Sequence, residues 1–213
     1  EVITREKDRI DNELNDTITR LTNIYENGMS QVQAPIWRIY GVEKIIAVGT
    51  AAVRRAKNQR SFLDEIQVSC NITIRVLSEE EEAFLVYRGV INSMDIPKGL
   101  ILEIGGGSTK IIYYNRRNLL NFATLPFGAV TLTDLFAGDA TPQEATKHVE
   151  EFFTEQLKTL PWLLDLDPEL QMIGVGGSFR NLFKISRLVR KYPLDMAHNY
   201  KMSTEDFTGI YDM

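Results

Sequence analysis

Residues 103–110 read Glu-Ile-Gly-Gly-Gly-Ser-Thr-Lys. Three consecutive glycines let a backbone turn tightly and leave its N–H groups uncovered by side chains. A row of such groups can cradle a phosphate. Gly105, Gly106 and Gly107 would supply the backbone donors and Ser108 a hydroxyl. A phosphate loop and an ordinary glycine hairpin both fit this pattern. It is not the P-loop of nucleotide-binding proteins, because it leads into a strand pattern and lacks the spacing to a Lys-Ser/Thr pair. A second small-residue turn, Gly174-Val-Gly-Gly-Ser178, stands between a strand pattern and a helix pattern. There Gly176, Gly177 and Ser178 would let a ligand approach a helix N-terminus, whose dipole favours anions. A tight strand-to-helix connection explains the same residues.

Two charged segments complete the candidates. Glu79-Glu80-Glu81-Glu82 opens a helix pattern, where acids favour the helix dipole without any further role. Their helical angles differ, however. Glu81 stands three residues after Ser78 and is the acid of a capping box. Glu82 falls on the margin of the apolar stripe, where a carboxylate can face a cleft while partly desolvated, as a general base requires. Arg54, in Thr50-Ala-Ala-Val-Arg-Arg55 just after a strand pattern, can hold a phosphate with its planar fork, or be a solvated surface cation.

The elements that must position these residues are readable from periodicity. Apolar residues recur every three to four positions over 7–30, which predicts a long amphipathic helix, and Pro35 breaks or kinks the chain beyond it. A short strand is expected over 44–48 and a helix over 58–68 with Phe62 and Ile66 inward. Ile72, Ile74 and Val76 alternate as a strand does. The helix over 78–94 carries Ala83, Tyr87, Val90 and Met94 as its core stripe. Strands over 99–104, 109–114 and 119–125 form a meander. Thr141-Pro-Gln-Glu144 opens a helix that runs to about 160, a strand covers 170–175, a helix reaches about 190, and Ser203 starts a last one. Strands mixed with helices place the chain in the α/β class, with a boundary near 96–99.

The 213 residues are 44 % hydrophobic and 25 % charged, which excludes disordered and low-complexity classes. Lys and Arg number 24 against 29 Asp and Glu, a net charge of −5, and that argues against bulk affinity for nucleic acid or an anionic membrane. A single cysteine, Cys70, excludes an intramolecular disulfide and points to a reducing, cytoplasmic compartment. No apolar run approaches the ~20 residues of a membrane span, and the charged opening shows no secretory leader. A chain that starts with Glu1 and ends at Met213 inside a helix pattern reads as a fragment of something longer. His148 lies beside an apolar stripe and reads as structural, His198 has no visible partner, and Trp37 and Trp162 read as packing residues.

Taken together, the chain resembles the exopolyphosphatase / guanosine pentaphosphate phosphohydrolase (Ppx/GppA) family of the actin and sugar-kinase superfamily. The matching pieces are AVGTAAVRRAKN at 47–58, ITIRVLSEEEEAFLVYRGV at 72–90, LILEIGGGSTKIIYY at 100–114, LPFGAVTLTDLF at 125–136, IGVGGSFRNLFKI at 173–185 and YPLDMAHNY at 192–200. The resemblance covers about 18–213 and rests on several motifs in one order. It implies a ribonuclease-H-like (actin-like ATPase) fold of two α/β domains with a ligand cleft between them. Residues 1–97 would be the second half of domain I, lacking the family's first phosphate hairpin, and 98–213 an incomplete domain II.

The implied chemistry is hydrolysis of the terminal phosphoanhydride of inorganic polyphosphate or guanosine pentaphosphate, with Mg²⁺. The family often forms homodimers. Glu82 falls on the family's catalytic glutamate, Arg54 on its phosphate-contacting arginine, and Gly105–Ser108 on its second phosphate loop. An alternative is a polyphosphate- or alarmone-binding regulatory member with little turnover, and the fragment itself is expected to be weak or inactive. An actin-like or sugar-kinase ATPase shares the fold, but the SEEEEA and LPFGAV segments match the phosphatase branch.

Three departures stand out. Glu103 replaces the family's Asp, Lys110 its Glu, and Glu79 its Gly. The first two positions are associated with the metal, so Glu103 is the candidate ligand. A Lys ammonium at ~4 Å from a divalent ion costs on the order of 8 kcal/mol at an effective dielectric of about 20. Lys110 is therefore expected either to point to solvent or to bind a phosphate oxygen and take over part of the metal's role.

Overall fold

A computed structural model of the chain describes residues 43–136, 138 and 141–213. The helix expected over 7–30, the break at Pro35 and Trp37 lie outside the described residues. The chain divides into two compact units, with the division between Glu82 and Ala83.

In the first unit, β1 (Ala47–Gly49) pairs in parallel with β2 (Ile74–Val76). Two helices, α1 (Ala51–Arg55) and α2 (Gln59–Cys70), connect them. Phe62 and Ile66, one helical turn apart, are buried against Val53, Leu63, Ile72 and Ile74. The expected inward face of this helix is thus the observed one. α2 stops at Asn71, which takes the left-handed conformation at φ 52° and returns its N–H to the Gln67 carbonyl. Asn tolerates that conformation better than other non-glycine residues. The unit ends at the opening of α3 (Glu79–Ser93). The capping box forms there as expected: the Ser78 hydroxyl accepts from the Glu81 N–H at 3.0 Å, and the Glu81 carboxylate accepts from the Ser78 N–H at 2.9 Å.

The second unit is built on a four-stranded sheet in the order β5-β4-β3-β6. Its strands are β3 (Lys98–Ile104), β4 (Thr109–Asn115), β5 (Asn118–Leu125) and β6 (Met172–Val175). The β3-β4-β5 meander is antiparallel, and β6 joins β3 in parallel. Arg116 and Arg117 both have positive φ, at 49° and 60°, as the two central residues of a tight hairpin turn require. Strand alternation splits the core in two. Ile101, Ile112, Tyr114 and Ile173 face one way and pack with Ala83, Tyr87, Val90 and Ile91 of α3. Leu100, Leu102, Ile111 and Leu125 face the other way. There they meet Phe127 and Leu132, the latter on α4 (Ala129–Phe136), and Val149, Phe152 and Phe153 of α5 (Pro142–Lys158).

The last elements are α6 (Gly177–Val189) and α7 (Thr204–Tyr211). Among the described residues no helix is long and apolar enough to cross a membrane.

Periodicity does not announce α4. Its eight residues include Val130, Thr131 and Thr133, β-branched types of modest helix preference. α5, by contrast, begins where expected, with Thr141 and Glu144 forming both arms of a capping box. Hydrogen bonds from the Thr141 hydroxyl and N–H hold the Glu144 carboxyl below its ordinary 4.5. A carboxyl lowered by folding stabilises the folded state above its unfolded value and ceases to do so as pH falls through the folded one. Glu144→Ala should therefore lower the melting temperature at neutral pH. Melts recorded down a pH series should show the gap to the parent closing below pH 4.5.

Candidate functional site

Register brings the charged candidates of the second unit together. In the β3–β4 hairpin, Ile104 stands opposite Thr109 and Glu103 opposite Lys110. Directly opposed residues of an antiparallel pair share a face. Glu103 and Lys110 therefore extend the row of Ile101 and Ile112 to the end of the sheet. Lys110 does not point to solvent. Its side chain is 1 % exposed, and its Nζ donates to Glu103 Oε2 at 2.7 Å and to Ser108 Oγ at 3.2 Å.

The glycine turn above this pair is tied down from one side. The Ala129 N–H donates to the Gly105 carbonyl at 2.8 Å, and the Val130 and Thr131 N–H groups donate to the Gly106 carbonyl at 3.0 and 3.3 Å. These are first-turn N–H groups of α4, which have no partner within their own helix. The Thr109 hydroxyl adds a bond to the Phe127 carbonyl at 2.8 Å. Phe127 is anchored edge-on against Phe152 and Phe153, with ring centroids 4.9 and 5.6 Å away. In a trans peptide the N–H points opposite to the carbonyl. With the Gly105 and Gly106 carbonyls turned to α4, the N–H groups of Gly106 and Gly107 are aimed away from it, as a phosphate cradle requires.

Gly128 makes this contact possible. A Cβ there would lie 2.3 Å from the Gly105 carbonyl oxygen and 2.7 Å from that of Gly106. Its own N–H is taken by the Thr131 hydroxyl at 2.6 Å, which caps the helix start. Sequence reasoning misses both residues as parts of the site. The signal for their role is a glycine directly before a helix with a hydroxyl three residues on.

The second glycine turn approaches the same pair. Gly176 comes directly after β6 with φ +102°, a conformation side chains rarely adopt. A Cβ on Gly176 would meet the Ile104 carbonyl oxygen at 3.2 Å and Glu103 Oε1 at 3.9 Å, and one on Gly105 would meet Glu103 Oε1 at 3.4 Å. One carboxylate oxygen thus faces both glycine turns while the other holds Lys110. Gly177 and Ser178 open α6, and nothing stands within 4 Å of a Cβ built on Gly177.

In the first unit, Arg54 and Glu82 come together although 28 residues separate them. Arg54 Nη1 donates to Glu82 Oε2 at 3.1 Å and to the Leu77 carbonyl at 2.7 Å. Side-chain exposures of 18 % and 14 % put the pair in a partly desolvated setting. Of the two settings open to Arg54 from sequence, the solvated surface cation is thus not the observed one. Its Nη2 is buried without a hydrogen-bond partner, 3.7 Å from a Glu79 carboxylate oxygen. Glu81 turns outward to its cap and to Arg75.

The residues present do not fit Mg²⁺ at Glu103. The carboxylate already carries an ammonium at 2.7 Å. Among the described residues no group of three or more His, Cys, Asp or Glu side chains could hold a metal ion. His148 lies beside the Phe136 ring, and His198 Nε2 is 3.3 Å from the Ser93 carbonyl oxygen.

A family model described as the Ppx/GppA phosphatase family matches residues 6–212. A guanosine-5'-triphosphate,3'-diphosphate pyrophosphatase of Aeromonas hydrophila is 34 % identical over 154 residues, 67 % of this chain and 29 % of the relative. One of the same description from Pseudoalteromonas atlantica is 38 % identical over 104 residues, 48 % of this chain and 21 % of the relative. A crystal structure of an exopolyphosphatase from Cytophaga hutchinsonii superposes with a TM-score of 0.78 at 25 % identity, covering 93 % of this chain and 62 % of that one. The chain thus spans less than a third of the curated relatives' length. Its fold is the mixed α/β, actin-like ATPase fold.

The close approach at residue 128 gives a direct test. Gly128→Ala should cost about 1–3 kcal/mol in denaturant unfolding, as overpacking does. Gly177→Ala, with open space around the added methyl, should leave the midpoint near the parental value.

Proposed function

The chain belongs to the Ppx/GppA phosphatase family, and from that premise we propose that it serves hydrolysis of the terminal phosphoanhydride of inorganic polyphosphate or guanosine pentaphosphate. The observation that carries the reading is the Arg54–Glu82 pair. A carboxylate able to take a proton from water is held at 3.1 Å by a guanidinium whose second nitrogen is buried without a hydrogen-bond partner. Such a nitrogen suits a phosphoryl oxygen.

In the proposed reaction the oxygen of a water attacks the terminal phosphorus, and its proton passes to Glu82. The bond from phosphorus to the bridging oxygen breaks. Orthophosphate leaves, along with a substrate one phosphate shorter. Arg54 stabilises charge developing on the phosphoryl oxygens. Within the second unit, the Gly105–Ser108 and Gly176–Ser178 turns offer backbone N–H groups and hydroxyls to phosphate oxygens. No step passes through a metal ion.

The Glu103–Lys110 pair, with its ammonium buried, favours a second reading, a member that holds polyphosphate or a guanosine alarmone without efficient turnover. Orthophosphate release by the full-length protein separates the two. Under the first reading, Glu82→Gln should lower kcat by roughly 10²–10⁴, the usual contribution of a general base. A variant with the parental rate removes Glu82 from the reaction. Substrate binding without phosphate release supports the second.

A further inference from the structure

The glycine loop has a cation of its own beneath it. We propose that Lys110 is the resident cation of the 105–108 turn, and that this turn takes the oxyanion of a condensed phosphate without a divalent ion. The inference rests on the phosphate-binding reading of the turn given above.

Four observations carry it. Lys110 is buried, and its ammonium bridges Glu103 Oε2 at 2.7 Å and Ser108 Oγ at 3.2 Å. The remaining Glu103 oxygen faces both glycine turns, at 3.4 and 3.9 Å from Cβ positions built on Gly105 and Gly176. A lone carboxylate in that position would repel a phosphate, and the ammonium cancels its charge. Ser108 accepts from the ammonium, so its own hydroxyl proton is turned away from Lys110 and is available to an anion. Finally, the carbonyls of Gly105 and Gly106 are consumed by α4, which aims the next two N–H groups to the opposite side.

A divalent ion bound through Glu103 would compete for the carboxylate whose Oε2 the ammonium already engages. It would also stand beside a fixed positive charge. The same residues that supply a cation to the turn therefore exclude a metal from it.

Isothermal titration of the full-length protein with tripolyphosphate, in excess EDTA and again in excess MgCl₂, tests this. Binding in EDTA is expected. The paired variant Glu103→Gln/Lys110→Met removes both charges without stranding either, and circular dichroism checks its fold. It should weaken binding in EDTA by about tenfold, because the Ser108 hydroxyl loses the ammonium that polarises it toward the anion. A second readout needs no anion: Glu103→Asp/Lys110→Glu should gain one bound Mn²⁺ over the parent, counted by electron paramagnetic resonance. Tripolyphosphate binding only with Mg²⁺, or parental affinity in the paired variant, overturns the inference and leaves the phosphate reading standing. No binding under either condition overturns both.

Discussion

The second unit depends on the closure of one glycine turn onto one helix start. The first N–H groups of α4 must find acceptors outside their helix, and the carbonyls of Gly105 and Gly106 provide them. Both sides of the contact are backbone, so the distance is set by what stands between them. At Gly128 that is hydrogen alone, because a methyl would enter the carbonyl oxygens at 2.3 and 2.7 Å. A helix start often binds an anion directly. This one commits its donors to the loop, whose Gly105 and Gly106 carbonyls turn to it and whose following N–H groups point to the far side. Phe127, wedged edge-on between Phe152 and Phe153, keeps the helix start from drifting.

Hairpin register then decides which side chains lie under the turn. Ile101 and Ile112 make the row apolar in the middle of the sheet, and Glu103 and Lys110 continue it as ions at the end. The change occurs where β3 leaves the sheet and a Cβ built on Gly176 would stand 3.2 Å from the Ile104 carbonyl oxygen. One oxygen of the Glu103 carboxylate therefore faces both glycine turns. The two small-residue motifs, 66 residues and more apart in the chain, are neighbours because β6 pairs in parallel with β3.

Features governed by neighbours in sequence are legible without coordinates. The capping boxes at Ser78 and Thr141 depend on residues three apart, and the buried faces of α2 and α3 on helical spacing. The parallel pairing of β6, which unites the glycine turns, carries no local signature. Nor does α4, whose start is fixed by bonds to the Gly105 and Gly106 carbonyls more than 20 residues away. The Arg54–Glu82 pair spans 28 residues and needs the β1–β2 unit to close it. Lys110 is the harder case. Lysine is rarely buried unless paired, and its partner emerges only when positions are counted outward from the turn. That count, one strand residue in from each end of 105–108 and then one more, sets Glu103 against Lys110.

A buried ion pair is weak evidence for stability, because two well-packed apolar side chains often serve as well. The hairpin also has other holds on its register. The Thr109 hydroxyl is bonded to Phe127, Gly105 N–H to the Ser108 carbonyl at 2.9 Å, and the rows of Ile101, Ile112 and Tyr114 are fully buried on α3. Slipping by one residue would put all of these on the wrong face. The pair is therefore not needed to specify the fold. What it does supply is a fixed positive charge 3.2 Å from Ser108 Oγ, in a place screened from water and bordered by two glycine turns. A cation held there before any ligand arrives needs no reorganisation when an anion binds, and that is the condition under which electrostatic stabilisation is strongest. The cost of burying Lys110 is best understood as the cost of having that charge in position.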